Sequence, residues 1–262
     1  MDLSYWYFFI LALFGAIVAN ATGAGGGVIF VPAFTILGLS AESIIATSFA
    51  IQCFGMTAGS VAWYRHAKTQ VSQTANSVWN DYWQLVLLFS LPAIAGVLVG
   101  QYLINLDSVT QIRRVFKYFS VLFALSIFAT TYFVLRSKRR LHQRQIYHST
   151  RCTFMAIGFF GGVITAWLSI GVGELVAVML ILLRYPVRMA VGVAVTVSAI
   201  CVWVGVQKYL WLQTTIDLNV LLFAAPAAII GGTVAKRIVS FFSPVQLKMF
   251  IAVWILISAI AM

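Results

Sequence analysis

Asn20-Ala21-Thr22-Gly23-Ala24-Gly25-Gly26-Gly27-Val28-Ile29-Phe30-Val31-Pro32 is the stretch on which the fold turns. An apolar run, 5–21, leads into it, and a second, 28–39, leaves it. Three consecutive glycines followed by Pro32 predict that a helix is interrupted here rather than lined with small residues along one face. If that interruption lies in lipid, its backbone amides and carbonyls cannot be satisfied by the surroundings. The break must then be buried in protein or line a wet cavity.

Composition places the break in a membrane. The chain has 262 residues, 62% hydrophobic and 9% charged, with a mean hydropathy of +0.98. Soluble domains run near about half apolar and about a quarter charged. Apolar runs fall at 5–21, 28–39, 43–62, 83–104, 116–135, 152–168, 174–183, 189–207, 217–235 and 245–262. A span needs about 20 residues, so the expected fold class is all-α integral membrane with eight to ten membrane segments. Tyr5 to Val18, followed by Ala19-Asn20-Ala21, has the outline of a signal peptide. Asp2 is the only charge near the start, so the stretch reads as the first membrane segment.

Seventeen Lys and Arg face six Asp and Glu, a net charge of +11. The basic residues sit between apolar runs and form no stripe on a soluble surface, so no nucleic-acid partner is expected; their partners are lipid headgroups. Arg136, Lys138, Arg139, Arg140, Arg144 and Arg151 fall together without an acid. That predicts a cytoplasmic linker, 136–151, in a multi-pass protein of the cell (inner) membrane. The linker divides the chain into a first transmembrane repeat, 1–135, and a second, 152–262.

The two parts read alike. Each opens on a full apolar run, breaks at a glycine cluster and resumes with a run too short to cross alone. Gly23 to Gly27 answers to Gly171-Val172-Gly173, Gly59 to Gly205, and Pro92 and Gly96 to Pro226 and Gly231. With five crossings per half and the linker inside, thirteen of the seventeen basic residues lie inside; Arg113, Arg114, Lys117 and Lys208 lie outside. Counting each break and its short run as one crossing gives nine inside and eight outside. Inverted halves of about five segments each are the better reading.

Short helices beginning near Val28 and Glu174 would aim free N–H groups and a positive dipole end at the breaks, a geometry suited to an anion. The candidate substrate-binding residues are Gly25, Gly26 and Gly27, Gly171 and Gly173, with Thr47, Ser48, Gln52, Thr196 and Ser198 at the start of the next long runs. The plainer role for those hydroxyls is a bond to their own helix one turn back. Glu174 either carries a coupling proton or caps its helix. Gly158, Gly161, Gly162 and the Gly96-Gly100 pair are assigned to helix packing. Catalytic and metal constellations are not expected: His66, His142 and His148 lie in polar loops, Cys53, Cys152 and Cys201 have no CxxC spacing, and Gly-Lys-Ser/Thr is lacking after the glycines. The three cysteines are read as small buried residues. No cofactor and no enzymatic activity follow, and the oligomeric state is not read from the sequence.

Gly25-Gly26-Gly27 with Val28-Ile29-Phe30-Val31-Pro32, and then Ala46-Thr47-Ser48-Phe49, resembles the repeat signature of the sulfite exporter (TauE/SafE) family. Gly158 to Gly173 and Ala190-Val191-Gly192 resemble its second copy. The resemblance implies a multi-span permease for a small sulfur-containing or organic anion such as sulfite, a sulfonate or sulfoacetate. The second half departs from the pattern, with Gly171-Val172-Gly173-Glu174 for the triple glycine, Val178 at the place of Pro32 and Val193-Ala194 at that of Thr47-Ser48. A lopsided site would lie mostly in the first half.

The expected function is secondary transport by alternating access. An inside-negative potential is worth about 2.3 kcal/mol per charge per 100 mV and favours anion efflux, so export is the default direction. The alternatives are a proton-coupled importer using Glu174, a passive channel, and a non-transporting scaffold subunit.

Overall fold

Backbone amides in hydrocarbon must be satisfied within the chain. The computed structural model does so with helices alone over the residues it describes, 3–73, 78–104, 106, 108–136, 148–213, 215–239 and 244–261. After a 3-10 turn at Leu3–Trp6 come α1 (Tyr7–Thr22), α2 (Gly27–Ile36), α3 (Ala41–Gln73), α4 (Tyr82–Tyr102) and α5 (Val109–Arg136). Then follow α6 (His148–Leu168), α7 (Val172–Leu182), α8 (Val187–Lys208), α9 (Leu218–Val239) and α10 (Pro244–Ala261). A π-helical turn, Tyr209–Gln213, extends α8. His142 and most of the basic linker lie outside the described residues.

Among the described residues five stretches are long and apolar enough to cross a bilayer unaided: Ala41–Ser72, Trp79–Tyr102, Thr150–Leu168, Val187–Leu212 and Leu218–Ile238. By contrast α1, α2 and α7 have 16, 10 and 11 residues. At about 1.5 Å per residue none of these three matches a hydrocarbon core of about 30 Å. Large apolar side chains on the outer faces, among them Leu91, Leu122, Leu125, Phe160 and Ile257, are exposed. A surface of that kind is stable against acyl chains rather than water. Trp6, Tyr7, Tyr102 and Trp211, exposed at helix ends, suit the membrane–water boundary.

The most buried spans, α3 and α8, pack against each other at the centre. Around them α4 lies along α6 and α9 lies along α1, while α5 packs on α10. Glycines let those backbones meet. A Cβ at Gly158 would stand 2.6 Å from the Phe89 carbonyl oxygen, and one at Gly100 would stand 2.7 Å from the Ala166 methyl. Gly96 and Gly162 face Phe159 and Ala93 across the same α4–α6 contact, and Gly161 faces Val172.

Pro32 lies inside α2, which continues to Ile36, and Phe30, Val31 and Phe34 beside it in sequence are fully buried. That packing holds the segment helical although proline removes a backbone donor. His66 is not in a loop but in α3, which runs well beyond the apolar run. Its ring lies edge-on to Trp63 and Trp79, at centroid separations of 6.0 and 5.2 Å. Cys53 and Cys201 are buried, whereas Cys152, near the start of α6, is exposed rather than buried.

Candidate functional site

The first interruption occupies Gly23 to Gly26. Gly23 takes φ +80°, a conformation that costs a Cβ-bearing residue about 1 kcal/mol or more, and its N–H closes α1 on the Ala19 carbonyl at 2.9 Å. Thr22 Oγ1 then accepts from the Ala24 N–H at 3.1 Å. This leaves the amides of Gly25 and Gly26 without a partner in their own helix, because they precede the first turn of α2. Gly27, expected in the break, is instead the first residue of α2. A Cβ there would stand 2.6 and 2.7 Å from the Ser169 and Leu168 carbonyl oxygens, so any larger residue would collide.

The second interruption begins earlier than the glycines suggest. It covers Ser169 to Gly171, with Ser169 at φ +58° and Gly171 at φ +139°, and Val172 and Gly173 are already helical. Thr165 ties its two sides together: Oγ1 donates to the Gly161 carbonyl at 2.8 Å and accepts from the Val172 N–H at 2.9 Å. A Cβ at Gly173 would collide with the Gly23 carbonyl oxygen, so the start of α7 lies against the first break.

Side chains from α3 and α7 fill the space between the two breaks. Glu174, 1% exposed in the first turn of α7, accepts from the Gly25 N–H through Oε1 at 2.8 Å and from the Gly171 N–H through Oε2 at 2.7 Å. One carboxylate therefore joins an orphan amide of each break. Gln52 on α3 accepts from the Gly26 N–H at 2.8 Å through Oε1. Its Nε2 lies 2.6 Å from Ser169 Oγ, 3.0 Å from Ser169 O and 3.1 Å from Ser48 Oγ, and Ser48 also donates to Ser169 Oγ at 3.0 Å. Bonds to a charged acceptor are roughly twice as strong as neutral ones, so the Glu174 pair is the firmest link in this cluster.

Of the residues expected at the site, Gly25, Gly26, Gly27, Gly171, Gly173, Glu174, Ser48 and Gln52 are brought together. Ser198 joins them: its Oγ lies against Gly173, is buried, and has no hydrogen-bond partner among the described residues. Thr47 and Thr196 are engaged elsewhere. Thr47 Oγ1 accepts from the Asp217 N–H at 3.0 Å, at the start of α9. Thr196 Oγ1 lies 2.6 Å from Tyr82 Oη and accepts from Ser60 at 3.1 Å, across the α3–α4–α8 contact. Ser169 escaped the sequence reading, since a serine in the left-handed region leaves no compositional mark. Its only signal is that Leu168-Ser169-Ile170-Gly171 sets a hydroxyl beside a glycine, as turns do. Asn20 was missed as well; it is buried and donates from Nδ2 to the Ala16 and Gly55 carbonyls at 2.8 and 3.2 Å.

A small recess of about 10 Å³ opens beside Gly26 and Gln52, lined also by Asn20, Phe30, Gly55 and Ala228. A second cleft, about 60 Å³ and partly open, lies near the N-terminus of α3 between Glu42, Gln101, Trp167, Lys208 and Tyr209. Among the described residues no group of three or more His, Cys, Asp or Glu side chains is placed to hold a metal ion.

An all-helical chain with an apolar exterior, whose buried polar groups gather at two interrupted helices, has the build of a membrane transporter. The chain matches the Sulfite exporter TauE/SafE family model over residues 8–262 and belongs to that family, one of membrane permeases. No curated protein and no solved structure matches it.

Proposed function

We propose that the chain is a secondary transporter that exports a small sulfur-containing or organic anion, of the sulfite, sulfonate or sulfoacetate class, by alternating access. The observation that carries this reading is the meeting of Gly25, Gly26 and Gly171, whose amides converge from two breaks on anionic or carbonyl oxygen. A substrate oxyanion offers the same chemistry, and the N-terminal dipoles of α2 and α7 favour its charge. Ser48, Gln52, Gly173 and Ser198 complete the seat, with Gly27 setting the approach of the two breaks. Thr47 and Thr196, bonded to α9 and α4, brace the surrounding helices.

The repeat reading, 1–135 and 152–262, is supported by an exchange of packing. The fourth helix of the first half lies along the first of the second, and the fourth of the second along the first of the first. Related halves would produce such a swap, and inverting them across the membrane gives one seat two routes of access. The linker 136–151 is placed on the cytoplasmic side of the cell (inner) membrane on the strength of its basic residues.

Purified chain in proteoliposomes tests the proposal. Saturable flux of sulfite or a sulfonate, lost in Gly26→Leu, supports it; no flux of sulfite, sulfonates or sulfate would favour a scaffold, and flux without saturation a channel. Glu174 motivates a second reading, proton-coupled import: it is the only acid at either break, and no charged side chain acts on it among the described residues. Under that reading an imposed pH gradient drives uptake, and Glu174→Gln abolishes that drive.

A further inference from the structure

We infer that the Glu174 carboxylate is a tethered stand-in for the transported anion, occupying the seat until substrate displaces it. The inference rests on the anion-seat reading above and adds how that seat is regulated.

The two amides held by Glu174 are those a free oxyanion would need. Gly25 N–H comes from the first break and Gly171 N–H from the second, and they bind different oxygens of one carboxylate, at 2.8 and 2.7 Å. A capping role requires only the second of these, since a glutamate in the first turn reaches back to its own helix start. The bond to Gly25 crosses 149 residues of sequence to the opposite half and contributes nothing to capping α7. A structural ion pair would supply a cation, and none acts on Glu174 among the described residues. The carboxylate therefore has the ligation of a bound anion rather than of half a salt bridge.

Ser198 points independently to a further acceptor at this place. Its hydroxyl, buried against Gly173, has no partner among the described residues. A buried hydroxyl without a partner is costly, and an oxyanion with three or four oxygens could accept from it while the carboxylate's two are already engaged.

Displacement follows from competition. An anion entering the seat cannot share the Gly25 and Gly171 amides with a second negative charge at contact distance, so the side chain must swing out as the ligand arrives. A group that fills the seat most of the time weakens apparent affinity by the fraction of time the seat is free. A seat free one-tenth of the time would bind about tenfold more tightly once the carboxylate is removed.

The test measures binding of sodium sulfite and sodium methanesulfonate to the purified full chain at constant ionic strength, by calorimetry and by the ligand-dependent shift of melting temperature. Dimethyl sulfone is the uncharged control. Wild type should bind the two anions weakly, Glu174→Ala at least about tenfold more tightly, and the sulfone should gain nothing. Glu174→Gln keeps the shape, and if the alanine variant does not fold it carries the test. Its amide can accept one N–H but opposes the other, so its anion affinity should also exceed that of wild type. Equal or weaker anion binding by the folded variants, with binding by wild type intact, overturns the stand-in role and leaves the seat standing. Failure of wild type and both variants to bind either anion removes the seat and the stand-in together.

Discussion

Gln52 on α3 holds Ser169 of the second break at two atoms, with Nε2 2.6 Å from its Oγ and 3.0 Å from its carbonyl, while Oε1 receives the Gly26 N–H of the first break. A single carboxamide thus closes both interruptions, and it can do so only because it has both a donor and an acceptor end.

Gln52→Leu removes that link and strands the Gly26 amide in a buried place. The expected cost is about 2–4 kcal/mol, from one unsatisfied amide and the lost bonds to Ser169. A lowered melting temperature of the purified protein, with anion flux reduced more than tenfold, is the expected result. Unchanged melting would mean that the carboxamide contributes little to the fold.

Gly26→Leu acts by volume. A Cβ there would stand 2.8 Å from the Phe30 ring and 3.0 Å from Gln52 Cγ. Flux should vanish while the protein still reaches the membrane fraction; normal flux would show that this amide does not meet substrate.

Ser169→Ala keeps the backbone but deletes the acceptor of both Ser48 and Gln52. Loss of about 1–2 kcal/mol is expected, together with a raised KM for the anion. A KM equal to wild type would confine Ser169 to a structural role.

Thr196→Val separates bracing from binding. Because its hydroxyl pairs with Tyr82 and Ser60, the substitution should cost about 1–2 kcal/mol in thermal stability with KM unaltered. A large rise in KM would place Thr196 at the substrate.

Under the proposed inverted arrangement, Lys208 and Arg188, at opposite ends of α8, lie outside and inside respectively. In a Cys152→Ser background, Lys208→Cys should react with an impermeant thiol reagent from outside only, and Arg188→Cys from inside only. Labelling of both from one side would refute the orientation. Cys53 and Cys201 are buried and should remain silent.

Much of this architecture was legible along the chain. Each apolar run overlaps one of the helices found, since lipid leaves the backbone few other choices, and Gly23 to Gly26 announced the first break by composition. The second break was only half legible. Gly171 was visible, but the chain departs from helical geometry at Ser169, where φ +58° is held by tertiary bonds rather than by residue type. Among the hydroxyls, sequence could not divide Ser48 from its neighbour Thr47. One faces Ser169 and the other the start of α9, a difference of direction around one helix.

Composition, run length and glycine placement by themselves determined that this is a helical membrane chain with two interruptions, because solvation and backbone sterics act on each segment locally. Which partners those interruptions find was decided only by the tertiary structure. Gly25 meets Glu174 across 149 residues and Gln52 meets Ser169 across 117, and such pairings depend on how the helices pack. The orphan amides had to be satisfied somewhere, and only the assembled bundle brings acceptors within about 3 Å of them.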